Sequence, residues 1–340
     1  MRVLARVFSH RPATLAMSRD TTKKFAPLAR RGCEYSHLAP DLCEENRMRA
    51  RSLAIAVGVL VLLAQPAAGQ DKKLVERGAY LINGIVACGN CHAQRDKEGR
   101  VLADKGLSGG FLFDEEPFTA YARNITPDPE TGIGKWTDAQ LVRAIREGIR
   151  PDGSLIGPPM PFEFYRGISD ADAQALVAYL RAQPPVKNVV PKSVYRMKLP
   201  PAYGPPIKNK IVAPPQKDLV KYGAYLAGPL GHCTDCHTPW VKDGVDLKRV
   251  GAGGNPFKGP WGVSVSRNLT AHETGLKNWS DAEIARAIRE GKSRDGSALK
   301  PPMAFAWYKN IDDADMTALI AYLRSLKPLP LGGQPAAANK

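Results

Sequence analysis

The stretch Cys88-Gly-Asn-Cys-His92, "CGNCH", sets two thiols at i and i+3 with an imidazole directly after the second. Three chemistries use such a grouping: a zinc site, a dithiol redox centre, or a haem attached through thioethers. A second copy, "CTDCH", occupies residues 233–237. Paired Cys-x-x-Cys zinc motifs usually stand about 15 to 20 residues apart, and a thioredoxin-like dithiol has no need of the histidine. These two copies start at 88 and 233, and both keep it. Cys-x-x-Cys-His is the spacing of c-type haem attachment. Cysteines at i and i+3 share one face of a helical turn, so both sulfurs can add to the vinyl groups along one side of a porphyrin. The next residue then brings its imidazole to the iron. On this reading Cys88, Cys91, Cys233 and Cys236 hold two covalently bound haem c groups, and His92 and His237 are proximal ligands.

The repeat extends beyond the cysteines. "RGAYL" at 77–81 answers "YGAYL" at 222–226, and "GGFLF" at 109–113 answers "GGNPF" at 253–257. "RNITPDPETGIGKW" from 123 answers "RNLTAHETGLKNW" from 267, while "AIREG", "PPM" and "AYLR" each recur. "TDAQ" from Thr137 and "SDAE" from Ser280 read as capping boxes. "SDADAQALVAYLRA" from Ser169 and "DDADMTALIAYLRS" from Asp312 read as capped amphipathic helices closing each copy. Strand patterns are scarce. The expectation is an all-α chain: two tandem helical domains of cytochrome c type, at 70–183 and 217–328. Between them, residues 184–216 hold nine prolines and six Lys or Arg with no acid. That composition predicts a stiff, extended, basic connector lying across both domains. The tail, 329–340, is expected to be disordered.

The front end has its own logic. Residues 53–64, "LAIAVGVLVLLA", form a short apolar run preceded by Arg49 and Arg51 and followed by "QPAAGQ". A basic start, a short apolar core and small residues for cleavage make a secretory signal peptide over 48–69, beginning at Met48. Residues 1–47 then precede a natural start and are expected to be absent from the mature protein. Cys33 and Cys43 lie in that extension, so the mature chain keeps four cysteines and no disulfide. The formal charge of the whole chain is +15. A basic surface suits an acidic redox partner, and an exported chain is not expected to meet nucleic acid.

Iron in an electron carrier is usually held on both sides, with methionine opposite histidine raising the potential. Past the signal segment the methionines are Met160, Met197, Met303 and Met316. Only Met160 and Met303 recur in register, each in "PPM", which selects them as sixth ligands. His232 and His272 have no counterpart in the first copy and read as surface residues. Arg123 with Trp136, and Arg267 with Trp279, are candidates for contacts to haem propionates; a surface arginine and a core tryptophan are the alternative reading.

These elements, over nearly all of 72–328, resemble the cytochrome c subunits of bacterial periplasmic dehydrogenases of the alcohol, gluconate and nicotinate dehydrogenase type. The resemblance implies a periplasmic electron relay, peripheral at the inner membrane at most. It would accept electrons from a dehydrogenase catalytic subunit and pass them to a quinone, cytochrome or oxidase, meeting the membrane only through partners. It implies the axial pairs His92 with Met160 and His237 with Met303. One departure stands out: alcohol and gluconate dehydrogenase subunits carry three haem domains, and this chain has two motifs. The competing function is a di-haem peroxidase-like oxidoreductase, in which one iron would exchange its sixth ligand.

Overall fold

Each half opens with a helix that crosses its closing helix at a glycine. The structure, a computed structural model, describes residues 71–241, 244–259 and 261–332; the expected extension and signal segment lie outside these. The chain is helical over 71–83 (α1), and α1 meets α5 (Asp170–Arg181) at Gly78. In the second half α6 (Leu219–Tyr225) meets α10 (Asp313–Ser325) at Gly223. A Cβ at either glycine would overlap the carbonyl oxygen of Ala175 or Ala318, so the two backbones touch only because the side chain is a hydrogen. The repeated "GAYL" and "AYLR" are therefore two sides of one helix crossing.

The capping signals form as the spacing requires. Thr137 and Gln140 make a reciprocal capping box at the start of α3 (Asp138–Glu147). Ser280 and Glu283 do the same for α8 (Asp281–Glu290). The Ser169 and Asp312 side chains accept from the Asp172 and Asp315 backbone amides at the starts of α5 and α10. Four further α-helices among the described residues are single turns: α2 (Gly89–His92), α4 (Phe162–Tyr165), α7 (Cys233–Cys236) and α9 (Phe305–Tyr308).

The all-α expectation needs correction, because the fold is mixed. In the first half β1 (Leu112–Glu115) and β2 (Phe118–Tyr121) form an antiparallel hairpin with Leu112 opposite Tyr121. In the second half β4 (Trp240–Val241) pairs with β5 (Gly244–Val245), and β6 (Pro256–Gly259) with β7 (Gly262–Val265). The strands have four residues or fewer, too short to show the alternation that marks a half-buried strand.

The connector is extended and carries strand β3 (Val194–Tyr195), which pairs with β2 so that Phe118 faces Tyr195. It lies along the first half: Val186 and Asn188 bond Thr126 and Thr131, Tyr203 packs on Phe162, and the Ile211 carbonyl accepts from the Asp170 amide. The beginning of the tail is likewise held. The Leu329 carbonyl accepts from Asn268 and Thr270, Leu331 N donates to Thr274, and Gly332 N donates to Ala252. These bonds hold residues 329–332 of the expected tail, and residues 333–340 lie outside the described part. The cause is repeated: Asn124 and Thr126 clasp the Val186 carbonyl as Asn268 and Thr270 clasp that of Leu329.

The halves meet through reciprocal tyrosine–aspartate bonds. Tyr80 of α1 donates to Asp315 of α10 at 2.8 Å, and its counterpart Tyr225 of α6 donates to Asp172 of α5 at 2.7 Å. Helix α9 packs on α2, and α4 packs on the π-helical turn Leu226–Leu230 that leads into α7. Leu81, Ile82, Ile85, Leu226 and Leu230, all at most 1% exposed, belong to one core shared by both halves. No helix among the described residues is long and apolar enough to cross a membrane.

Candidate functional site

Both Cys-x-x-Cys-His segments are single helical turns entered through a left-handed residue. Ala87 (φ 50°) precedes the first and His232 (φ 39°) the second; both sit in a region that non-glycine residues seldom occupy. The turn then closes, with His92 N donating to the Cys88 carbonyl at 2.8 Å and His237 N to that of Cys233 at 3.0 Å. This puts the paired sulfurs one turn apart on a common face. The imidazoles are held in the same way in both copies. Nδ1 of His92 lies 2.7 Å from the Arg123 carbonyl, and Nδ1 of His237 lies 2.7 Å from the Arg267 carbonyl. A carbonyl can only accept, so Nδ1 carries the proton and Nε2 keeps its lone pair for a metal. Burial lowers the pKa of both histidines, against the opposing pull of those carbonyl bonds, so both rings are neutral.

The thiols are half-buried and unpaired. Burial pushes Cys88 up to about 12 and Cys91 and Cys233 to about 11. Cys236 is raised further, by burial first and then by the neighbouring Asp235. A reactive dithiol needs the opposite, an electropositive site that lowers the pKa. Protonated thiols beside a neutral imidazole with a free Nε2 are the donor set that covalent haem c takes: two sulfurs for thioether bonds and one nitrogen for iron.

Met160 and Met303 are partly buried against the shared core, at matching points just before α4 and α9. Met197 is 41% exposed in the connector, whereas Met316 is 3% exposed in the core. The Arg123 side chain donates to the Val190 and Pro191 carbonyls of the connector at 2.9 and 2.8 Å, while that of Arg267 is exposed. Trp136 and Trp279 are half-buried, and their carbonyls accept from the repeat-related Arg181 and Arg324. His272 bonds Thr274 and is partly exposed. The surface reading of His232 is corrected: it is half-buried, and its ring meets Tyr165 edge-on at 5.8 Å. Its neighbour in sequence is Cys233, so the fold that buries the motif buries it too.

Sequence reasoning missed the tyrosines between the two motifs. Burial raises the Tyr165 hydroxyl far above its ordinary value, with Cys88, Cys91, Tyr308 and the other motif's Asp235 adding to the effect. Burial likewise raises Tyr308, with Cys233, Cys236 and Cys91 adding. Tyr165 reaches the second motif through His232, and α9, which carries Tyr308, packs on α2 of the first. The signal was available in their register, since both stand five residues after the repeated methionine.

Fold and site together define a c-type cytochrome. The description "Cytochrome c" fits residues 220–327. A "Diheme cytochrome c-type" protein of Cereibacter sphaeroides is 30% identical, over 70% of this chain and 81% of its own length. The cytochrome c subunit of alcohol dehydrogenase (quinone) from Gluconacetobacter polyoxogenes is 32% identical, over 84% of this chain and 63% of its own length. The cytochrome subunit of fructose dehydrogenase from Gluconobacter japonicus is 31% identical, over 79% of this chain and 56% of its own length. This chain thus spans less than two thirds of the latter two relatives. It belongs to the cytochrome c family, and membership implies covalently bound haem c.

Proposed function

We propose that the mature chain is a periplasmic cytochrome carrying two haem c groups, which relays electrons from a dehydrogenase catalytic subunit towards a quinone or terminal oxidase. The observation that carries this reading is the duplicated site, in which both histidines present Nε2 from rings fixed at 2.7 Å by the repeat-related Arg123 and Arg267 carbonyls. Haem c bound there would supply a one-electron iron couple. The chain's own residues then do three things. Cys88, Cys91, Cys233 and Cys236 anchor, and His92 and His237 ligate in a set tautomer. Met160 and Met303 offer a soft thioether that favours the reduced state. The packing of α9 on α2, and of α4 on the turn that leads into α7, supports a relay within one protein.

The partner is inferred from relatives named as cytochrome subunits of alcohol, fructose and gluconate dehydrogenases. Location in the periplasm rests on the signal layout at 48–69. The domain limits 70–183 and 217–328, with 184–216 as connector, follow the repeat. Carbon monoxide tests the relay against the peroxidase-like alternative. The dithionite-reduced, fully matured protein should change its Soret band little under carbon monoxide and show negligible peroxidase turnover. Ready binding at one haem would favour the peroxidase-like function instead.

A further inference from the structure

The connector covers one half and leaves the matching face of the other open. In the first half it adds β3 to the edge of β2 and seats the Tyr195 hydroxyl 3.2 Å from the Pro158 carbonyl, while Tyr203 packs on Phe162. These contacts cap the loop that carries Met160. Gly157 in that loop is buried, and a Cβ there would run into the Tyr195 ring, so the cover requires glycine. In the second half, among the described residues, β6 and β7 form a two-stranded sheet with no added strand. Val263 and Val265 on the free β7 edge are 54% and 53% exposed. Pro301 and Pro302 are exposed beside them, and the position matching Gly157 is an exposed lysine, Lys300.

Charge changes with the cover. Along the repeat Asp114, Ile149, Pro151 and Gly157 of the first half correspond to Lys258, Lys292, Arg294 and Lys300, all four exposed. The fold gathers them. Ser264 Oγ donates to the Pro301 carbonyl at 2.7 Å, tying the hairpin of Lys258 to the loop of Lys300, and Lys292 bridges Ala298 in that same loop. Glu290 and Glu283 offset Lys292 and Arg294 at 3.4 and 3.5 Å, but Lys258 and Lys300 have no acidic partner among the described residues. Exposed valines with a basic rim are what a transient electron-transfer contact uses: a small apolar centre, and charge that steers the encounter.

We propose that this open face of the second half, centred on Lys300 and the β7 edge, is the docking surface for an acidic electron-carrier protein, and that the connector closes the matching face of the first half to partners. The assignment rests on the relay reading and says where in the chain electrons cross between proteins.

The test uses the matured, haem-loaded chain with flavodoxin as the acidic probe. Oxidised flavodoxin should protect Lys258, Lys292 and Lys300 from acetylation, read residue by residue by mass spectrometry, and leave Lys192 and Lys208 of the connector unprotected. Reversing charge with Lys292→Glu and Lys300→Glu together should slow reduction by flavodoxin hydroquinone by about tenfold at low ionic strength and flatten its salt dependence. Lys192→Glu with Lys208→Glu should change the rate by less than about twofold. Equal protection or equal slowing at the connector would overturn the proposal. So would protection of the three lysines by phosphatidylglycerol vesicles but not by flavodoxin, which would make the face a membrane contact. Carbon monoxide binding and peroxidase turnover of the same sample report the relay reading, so a failure of docking is distinguishable from a failure of that reading.

Discussion

Replacing Tyr225 with Phe should cost about twice what the matching change at Tyr80 costs, although the two tyrosines occupy equivalent places in the repeat. Tyr225 OH donates to Asp172 Oδ2 at 2.7 Å and accepts from Ser169 N at 3.1 Å, and Asp172, 4% exposed, also receives Arg77 Nε at 2.9 Å. Losing a hydrogen bond to a charged group costs about 1.5–3 kcal/mol, and a buried N–H left without an acceptor adds about 1 kcal/mol or more. The sum for Tyr225→Phe is about 3 kcal/mol. Tyr80 OH donates to Asp315 Oδ2 at 2.8 Å and accepts from the exposed Asp312 amide at 3.3 Å, which water can replace. Tyr80→Phe should therefore cost about 1.5 kcal/mol. Guanidinium unfolding of the matured protein at pH 7, followed by far-ultraviolet circular dichroism, measures both. Equal losses, or less than about 1 kcal/mol for Tyr225→Phe, would refute the view that the halves are locked by a charged, buried hydrogen-bond network.

Met160→Ala and Met303→Ala should each remove about half of the methionine-to-iron charge-transfer band and open one iron to carbon monoxide. Met197→Leu and Met316→Leu should do neither, and a loss of the band in either would reassign the ligand. His232 is pushed down to about 4 by burial, with an opposing backbone hydrogen bond. Its pKa is thus lower folded than unfolded, the unfolded chain binds the proton first, and stability falls as pH drops from about 6.5 towards 4. Between pH 7 and 4.5 this one group should remove about 2 kcal/mol, and His232→Gln should shrink the acid loss by that amount. An unchanged acid loss in that variant would place the ring in water.

What could be read in the sequence was what lies in contiguous residues. The attachment turns, the capping boxes at Thr137 and Ser280 and the closing helices each need only a few neighbouring side chains, and all formed. The tautomer of His92 was not legible, because it depends on a backbone carbonyl 31 residues away, which side-chain patterns do not mark. Strand β3 lay hidden because Pro191 and Pro200 flank it and its two residues pair only once the connector folds back on β2. The hold on Leu329 was missed for a similar reason: the partner of Asn268 and Thr270 is a backbone carbonyl 61 and 59 residues away. The cover on the first half was not legible, because the ring that demands Gly157 comes from a connector residue, Tyr195, with no counterpart in the repeat.

The central claim is that each Cys-x-x-Cys-His turn carries its own covalent haem. Intact mass of the chain matured in a periplasm with the haem-attachment machinery, measured after denaturation, tests it most directly. The account predicts the processed polypeptide plus two haems, falling to one in Cys88→Ala/Cys91→Ala and likewise in Cys233→Ala/Cys236→Ala. A wild-type mass with one haem, with zinc, or with no addition would contradict it.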